Sequence, residues 1–529
     1  MAGGHERRFP LHLKVGYVGL VTAAVTAAVV VLPGKVLVAS STCPVGPGYG
    51  RIFPTLAAAR WDQTDITALA DAVAEASEDE PEPGTGLQFE MTGVQSGYTY
   101  AGQFLDHDIT LDKRPNDLVT PVDLATLTNG RTPKLDLDSV YGGGPSRSAE
   151  LYEADGVHLR LGAPLTGAAG DPGARDLRRD AKTGQAVIPD ARDDENRMVA
   201  SLHSIVSRFH NVLADDLKRA HPGWASPRLF AEARRTATWY YQWAVLTDLL
   251  PRIVGVSTME SVAIRRGREW RTSLRFFDPC QGTVPVEFTG AAYRFGHSMV
   301  RDDYQLNDTV KKLPVFDDSG DPRKSVGGFQ PSPSDYAVDW AYFFPMGDNV
   351  VPQEAYRLDG SIVPALRKLP GPAAGTASTN LATRNLLRGE QLGLPTGQDV
   401  AEAMGADPLP DDRIVVGPAL GIGATTTRPI TDVSRAFAGR APLWTYILAE
   451  AVNENWVVRN GTITDVRDEN SHLGPVGGRL VAETIVGLLR ADPDSVIHHP
   501  EFRPVLPYLP RFSFADLIAK ATGLTTRTL

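Results

Sequence analysis

Apolar residues recur at close to a 3.6-residue period along much of this chain, and that spacing predicts helices. Between Glu195 and Lys218 the apolar positions are Met198, Leu202, Ile205, Val206, Phe209, Val212 and Leu213, one face of a long helix. Ser226–Leu249 predicts a second long helix that ends before Pro251, where the ring would break the ladder. Ser257–Phe277, Asn380–Arg388 and Gly477–Arg490 carry the same helical pattern. Strand signals are few and short. Clusters of Pro, Gly and polar residues predict loops at Glu75–Gly86, Thr166–Gly184, Asp317–Asp335 and Leu369–Thr379, and no internal repeat is present. The expected fold class is mainly α with few short strands.

Composition changes this picture only at its edges. The 529 residues are 42% hydrophobic and 22% charged, as in globular proteins, and length alone suggests about three domains. A net charge of −10 argues against a nucleic-acid partner, which calls for a basic face. The two cysteines, Cys43 and Cys280, form neither CxxC nor CxxCH, which leaves thiolate zinc and thioether-bound haem without support. They fit a single long-range disulfide in an exported protein, or two free thiols. At the N-terminus Arg7, Arg8 and Lys14 precede an uncharged run from Val15 to Leu32, then Pro33-Gly34 and Ala39-Ser40-Ser41. This pattern fits a signal peptide, a single membrane anchor, or a buried Val/Ala-rich element.

Five motifs carry candidate chemistry. In Gly102-Gln-Phe-Leu-Asp-His-Asp108, read as a helix, Gln103, Asp106 and His107 share a face, whereas Asp108 turns away by about a quarter of a turn. One face then carries an amide, a carboxylate and an imidazole, which suits proton chemistry beside a separate cation site. A satisfied structural histidine is the plainer alternative. In Thr132-Pro-Lys-Leu-Asp-Leu-Asp138, Thr132, Asp136, Asp138 and the Lys134 carbonyl offer hard oxygens of the kind calcium takes six to eight of. A solvated polar loop would look the same. Pro189-Asp-Ala-Arg-Asp-Asp-Glu-Asn196 opens the long helix and places Arg192 and Glu195 at i and i+3. Its aspartates also fit simple charge complementarity at a helix N-terminus. Tyr293-Arg-Phe-Gly-His297 puts His297 beside Arg294 in a partly apolar helix, and Leu381-Ala-Thr-Arg-Asn-Leu-Leu-Arg-Gly389 puts Asn385 and Arg388 on one face. A core histidine and a surface helix end are the bland readings of these two.

Taken in this order, the motifs resemble the animal-type haem peroxidases, specifically their bacterial branch, over roughly residues 45–520. Because they would converge on one cofactor, the resemblance replaces three domains with one large catalytic domain at 45–529, after a signal peptide or anchor with a short linker at 1–44. It implies a haem-dependent enzyme that reduces hydrogen peroxide and oxidises small donors through a ferryl intermediate. His107 matches the distal histidine, Arg192 its partner, and Gln103 a distal amide. His297 matches the proximal iron ligand, with Asn385 behind it and Arg294 in the cofactor-binding set. Asp106 and Glu195 match the two carboxylates that form ester links to haem b. Asp108, Thr132, Lys134 (through its carbonyl), Asp136 and Asp138 match the site of one calcium ion. The localisation implied is secreted or membrane-anchored, outside the cytoplasm.

In such an enzyme a neutral His107 takes a proton from peroxide and returns it to the leaving oxygen, so its pKa is expected below the working pH. Arg192, always charged, stabilises the developing anion. The chain departs from the family at Asn196, where myeloperoxidase-like members have methionine, so no sulfonium link is expected. Iodide, bromide, thiocyanate or phenols are then better donors to expect than chloride. Ala101 and Glu390-Gln391 also depart, away from the core chemistry. The rival reading of the same fold is a fatty-acid dioxygenase of cyclooxygenase type. It needs a tyrosine three residues before the proximal histidine, where this chain has Arg294. A non-catalytic haem-binding extracellular protein is the other alternative.

Overall fold

The computed structural model describes residues 46, 48–74, 92–114, 118, 120–317, 319–347, 350–370, 378–468, 470–504 and 512–524. The chain divides into two units, Met1–Val36 and Leu37–Leu529. The Val15–Leu32 run, Cys43 and the Glu75–Gly86 loop lie outside the described residues. Among the described residues no helix is long and apolar enough to cross a membrane.

The described part is mainly helical, as the apolar period predicts. Its strands form five two-stranded sheets, of which only Tyr49–Gly50 with Val284–Pro285 is parallel. One large apolar cluster runs through the helices Gly97–Ile109, Arg197–Ala220, Ser226–Ala244, Leu443–Asn455 and Pro475–Ala491. Arg197–Ala220 is the scaffold's longest element at 24 residues, and it packs against 226–244, 514–522 and 97–109. The side chain of Asn196 caps it by accepting from the Val199 amide at 3.0 Å.

Three sequence expectations change in the structure. The second long helix does not stop before Pro251. A π-helical turn at Val245–Leu249 widens it, and the helical path continues through Leu250–Val254. The wider turn gives the proline ring the room an α-helical turn would deny it. It also turns Asp248 inward, where its carboxylate accepts from Tyr98 Oη (2.9 Å), Arg252 Nε (3.0 Å) and the Phe514 amide (3.0 Å). Ser257–Phe277 is helical only in its first part, Val256–Val262. Gly267, at φ 61°, then turns Ala263–Arg266 back on Glu269–Thr272 as a hairpin, and Trp270 packs edge-on against Trp243. A two-residue turn and a tertiary aromatic contact override helical spacing there. The third change concerns the Pro189–Asn196 motif, which precedes the long helix. Ala191–Asp194 is a separate 3-10 turn whose N-cap, Asp190, accepts from the Arg192 amide.

Pro475–Ala491 sits so close to its neighbours that Gly487 has no room for a side chain. A Cβ there would fall 2.1 Å from the ring of buried Phe277. Alanine gains about 1 kcal/mol of helix propensity over glycine, but forcing a methyl into a packed core costs about 1–3 kcal/mol. Gly487→Ala is therefore expected to lower the urea midpoint of unfolding; a raised midpoint would show that Phe277 gives way freely.

Candidate active site

The 97–109 helix presents two of its thirteen residues, Gln103 and Asp106, as partly exposed, and the other eleven are buried. That exposure is to a cavity of about 870 Å³, a volume in the range of cofactor pockets. Its walls include Gln103, Asp106, His107, Arg192, Glu195 and Asn196 on one side, and Tyr293, Arg294 and His297 on another. Asp108 points away from it. The face assignment made from i, i+3 and i+4 spacing therefore matches the geometry.

On the first wall, Arg192 and Glu195 stand three apart across a 3-10 turn, whose three-residue period aligns them better than an α-helix would. Arg192 is fixed by Asp190, with Nε 3.1 Å from Oδ1 and Nη2 2.8 Å from Oδ2, and by the carbonyls of His107 and Thr110. Its Nη1 lies 3.8 Å from Asp106. Gln103 donates to the Glu195 carboxylate and accepts from Asn196 Nδ2 at 3.0 Å, an amide chain along the wall. Glu195 is half-buried in the cavity lining, and desolvation there pushes its carboxyl up.

The second wall forms where Ala292–His297 makes a 3-10 turn instead of the expected helix. Arg294 then eclipses His297. Tyr293 points about 120° away, and its hydroxyl donates to the Gly102 carbonyl at 3.1 Å. His297 Nδ1 lies 2.9 Å from the Asn385 side-chain amide, and Asn385 Oδ1 accepts from Arg294 Nη1 at 3.1 Å. Asn385 itself is fully buried, on a helix (Leu381–Gln391) capped by Asn380. Burial, with Arg294 nearby, holds His297 down to about 3, so its ring is neutral. Among the described residues the Arg294 guanidinium has only neutral partners within hydrogen-bond reach, the Thr289 carbonyl (2.9 Å) and Asn385, and burial lowers it to about 10.

Behind the first wall, carboxylate oxygens of Asp108, Asp136 and Asp138 lie within 4.8 Å of one another. Among the described residues, both Asp108 oxygens are buried with no hydrogen-bond partner. Its carboxyl is pushed well up, by burial first and then by Asp136 and Asp138. Leu135 and Leu137 hold left-handed φ values of 53° and 59°, a strained backbone that alternates with the two aspartates. Thr132 Oγ1 donates to Asp136 at 2.6 Å, and its amide donates to Asp138 at 3.0 Å. Lys134 extends its ammonium to Asp492, 3.4 Å away. Asp136 and Asp138 also have cationic neighbours in Arg234 (3.6 Å) and Arg131 (3.2 Å).

Two groups escaped the sequence reading. Asp193 is fully buried and bonds His107 Nδ1 and His203 Nδ1, each at 2.8 Å. Burial presses the His107 imidazole down, but the Asp193 hydrogen bond and charge more than offset this, so its pKa lies above the ordinary value. That direction runs counter to the expectation of a His107 pKa below the working pH. Asp194 is clasped by Arg179, with oxygens 2.7 and 2.8 Å from Nη1 and Nη2, and Arg179 also holds Asp176. Acidic residues at a helix start read as dipole partners; nothing in the local spacing signals His203 or Arg179. The loop at 327–329 closes tightly here, because a Cβ on Gly328 would fall 1.8 Å from the Asp194 carbonyl.

The described cysteine, Cys280, is disulfide-bonded. A family model described as animal haem peroxidase matches residues 113–411, which take in Arg192, His297 and Asn385. Thyroid peroxidase of Rattus norvegicus is 28% identical over 211 residues, 36% of this chain and 22% of that protein. Curated relatives of this kind are matched over only 12% to 38% of their own length. Among solved structures, peroxidase A from Dictyostelium discoideum superposes with a TM-score of 0.56 at 17% identity, over 90% of this chain and 93% of that one. Fatty acid alpha-dioxygenase of Arabidopsis thaliana gives 0.53 at 14% identity, over 90% and 74%. At such identities the likeness is one of fold.

Removing one partner of a buried ion pair strands the other charge, at a cost of about 3–5 kcal/mol. Arg179→Ala should therefore destabilise the protein by an amount of that order in denaturant unfolding, since Asp194 and Asp176 have side chains only 4% and 6% exposed. A loss below about 1 kcal/mol, the level of exposed pairs, would mean that water reaches both carboxylates.

Proposed function

The chain belongs to the animal haem peroxidase family, and on that premise we propose that it is a haem b peroxidase that reduces hydrogen peroxide and oxidises small donors. The observation that carries this reading is one cavity lined by His107 and Arg192 and also by His297, which Asn385 backs. The walls fit the cofactor. His297 is neutral and held from behind by Asn385; ligating iron through Nε2 requires Nδ1–H, and so the Asn385 amide turned with its oxygen toward the ring. Arg294, a cation lining the cavity with no anionic hydrogen-bond partner among the described residues, suits a carboxylate of the bound group. Asp106 and Glu195 line the same space and are the candidates for ester links.

Bound haem would supply the redox chemistry, accepting oxygen from peroxide and electrons from the donor. This chain's residues would do the rest. His107 takes the peroxide proton at Nε2 and returns it to the departing oxygen. Arg192, pinned by Asp190, places fixed positive charge beside that oxygen. Gln103, held between Glu195 and Asn196, orders water or a small anion. Asn196 carries no sulfur, so iodide, bromide, thiocyanate or phenols are the donors proposed. The partnerless oxygens of Asp108 support one calcium ion with Asp136, Asp138, Thr132 and the Lys134 carbonyl. That ion would tie His107's neighbour to the 132–138 loop.

The five motifs support placement in the bacterial branch of the family. The N-terminal pattern, with one disulfide-bonded cysteine, supports an extracytoplasmic site, secreted or anchored, for the domain at 45–529. The dioxygenase reading is set aside because Arg294, not a tyrosine, eclipses His297 and the Tyr293 hydroxyl is engaged by Gly102.

The visible spectrum of the haem-reconstituted protein, before and after one equivalent of peroxide, tests the proposal. A Soret band that shifts with peroxide and returns on adding iodide or a phenol is expected; folded protein with no Soret band would overturn it. His297→Ala should lose stable haem binding. His107→Ala should keep haem and slow the peroxide reaction by about 10²–10⁴-fold, and full reactivity would reject the distal assignment. Calcium should raise the unfolding temperature, by mass action on the folded state, and Asp108→Ala should abolish that response. An unchanged response in the variant would place the ion elsewhere.

A further inference from the structure

The Asp193 carboxylate is closed to solvent and spends its two oxygens on two imidazoles, His107 through Oδ1 and His203 through Oδ2. An ionised carboxylate can only accept hydrogen bonds. Both Nδ1 atoms must therefore carry their hydrogens, and in neutral His107 the lone pair falls on Nε2. His107 lines the cavity, and Nε2 is the atom of its ring not engaged by Asp193. We propose that Asp193 is a positioning residue, with His203 as its second anchor, that locks His107 in the tautomer able to accept a proton on the cavity side. This rests on the peroxidase reading and deepens it.

His203 has a definite part. Asp193 lies in a short 3-10 turn, which alone would leave its carboxylate free to rotate. His203 is on the 197–220 helix, so its hydrogen bond references the carboxylate to the longest rigid element of the fold. It also satisfies the oxygen that His107 does not reach, which a buried charge requires. Asparagine cannot replace this arrangement. An amide offers one acceptor and one donor, so one of the two rings would have to present a lone pair at Nδ1 and move its hydrogen to Nε2. If that ring is His107, the cavity loses its base. A wrong tautomer in an otherwise intact histidine–carboxylate pair elsewhere costs about 10⁴-fold.

Two measurements test this. The first needs no haem: in ¹⁵N-histidine-labelled protein, long-range ¹H–¹⁵N spectra report which nitrogen carries the hydrogen, with His107→Gln and His203→Gln giving the assignments. Nδ1–H on both rings is expected, and Nε2–H on His107 would overturn the proposal. The second uses the haem-loaded protein and compares two ligands. Hydrogen cyanide must give up its proton to a base as it binds, whereas carbon monoxide binding to the reduced protein needs none. Asp193→Asn and Asp193→Ala should keep the Soret band and the carbon monoxide rate within about twofold, and slow cyanide association by about 100-fold, the low end of general-base effects. His203→Gln, which can still donate to Asp193, should restore most of the rate that His203→Leu loses. Unchanged cyanide rates, or cyanide and carbon monoxide rates falling together, would overturn the proposal. If wild type binds no haem, the peroxidase reading fails, and the tautomer measurement still decides the positioning role.

Discussion

An ionised carboxylate taken out of water costs several kcal/mol unless the protein supplies hydrogens or opposite charge. The segment around Asp190–Asn196 is organised by that requirement. Asp190 meets it with Arg192, Asp193 with two imidazoles, and Asp194 with the fork of Arg179. Each answer recruits a different part of the fold. Arg192 is brought to the cavity wall, His107 and His203 fix the 97–109 helix to the 197–220 helix, and Arg179 draws in the preceding loop. Asp108 is the exception, since its oxygens have no partner among the described residues. The arrangement is complete for every carboxylate except the one that faces two other carboxylates, and that asymmetry supports a cation there.

The two cavity walls come from distant parts of the chain and touch directly. Tyr293 bonds the Gly102 carbonyl on the 97–109 helix and stacks on Phe288 with ring centres 4.5 Å apart. The same 97–109 helix is fixed at its start by Tyr98 and Asp248, within the widened turn of 245–249. Its start and its middle are thus referenced to separate elements. A helix held in this way keeps Gln103, Asp106 and His107 in fixed positions in the cavity lining, which acid–base work at a bound ligand needs.

Much of this was legible in the sequence because helical spacing is geometry. Gln103, Asp106 and His107 had to share a face, and Arg192 and Glu195 had to align in either kind of helix. The apolar stripe from Met198 to Leu213 left little choice for the longest element. What was hidden depended on contacts between residues far apart or on local backbone changes. Nothing in spacing pairs Arg179 with Asp194, and Asp193 with His203 look like an acidic helix start and one more inward helix position. The hairpin at 263–272 was masked because its residues also fit a helical period until Gly267 turns. The left-handed backbone at Leu135 and Leu137 could not be read from leucines, which ordinarily avoid it.

Asn196 holds two structural posts at once. One end of its amide caps the 197–220 helix, and the other steadies Gln103 in the cavity. A methionine at this position, as in some relatives, could do neither. Sequence change toward a sulfur-linked cofactor would therefore first pass through a protein with an uncapped scaffold helix, at about 0.5–2 kcal/mol, and an unsteadied pocket amide. The cap of the scaffold helix and the setting of a pocket amide are here the work of one residue, so any change at position 196 alters both together.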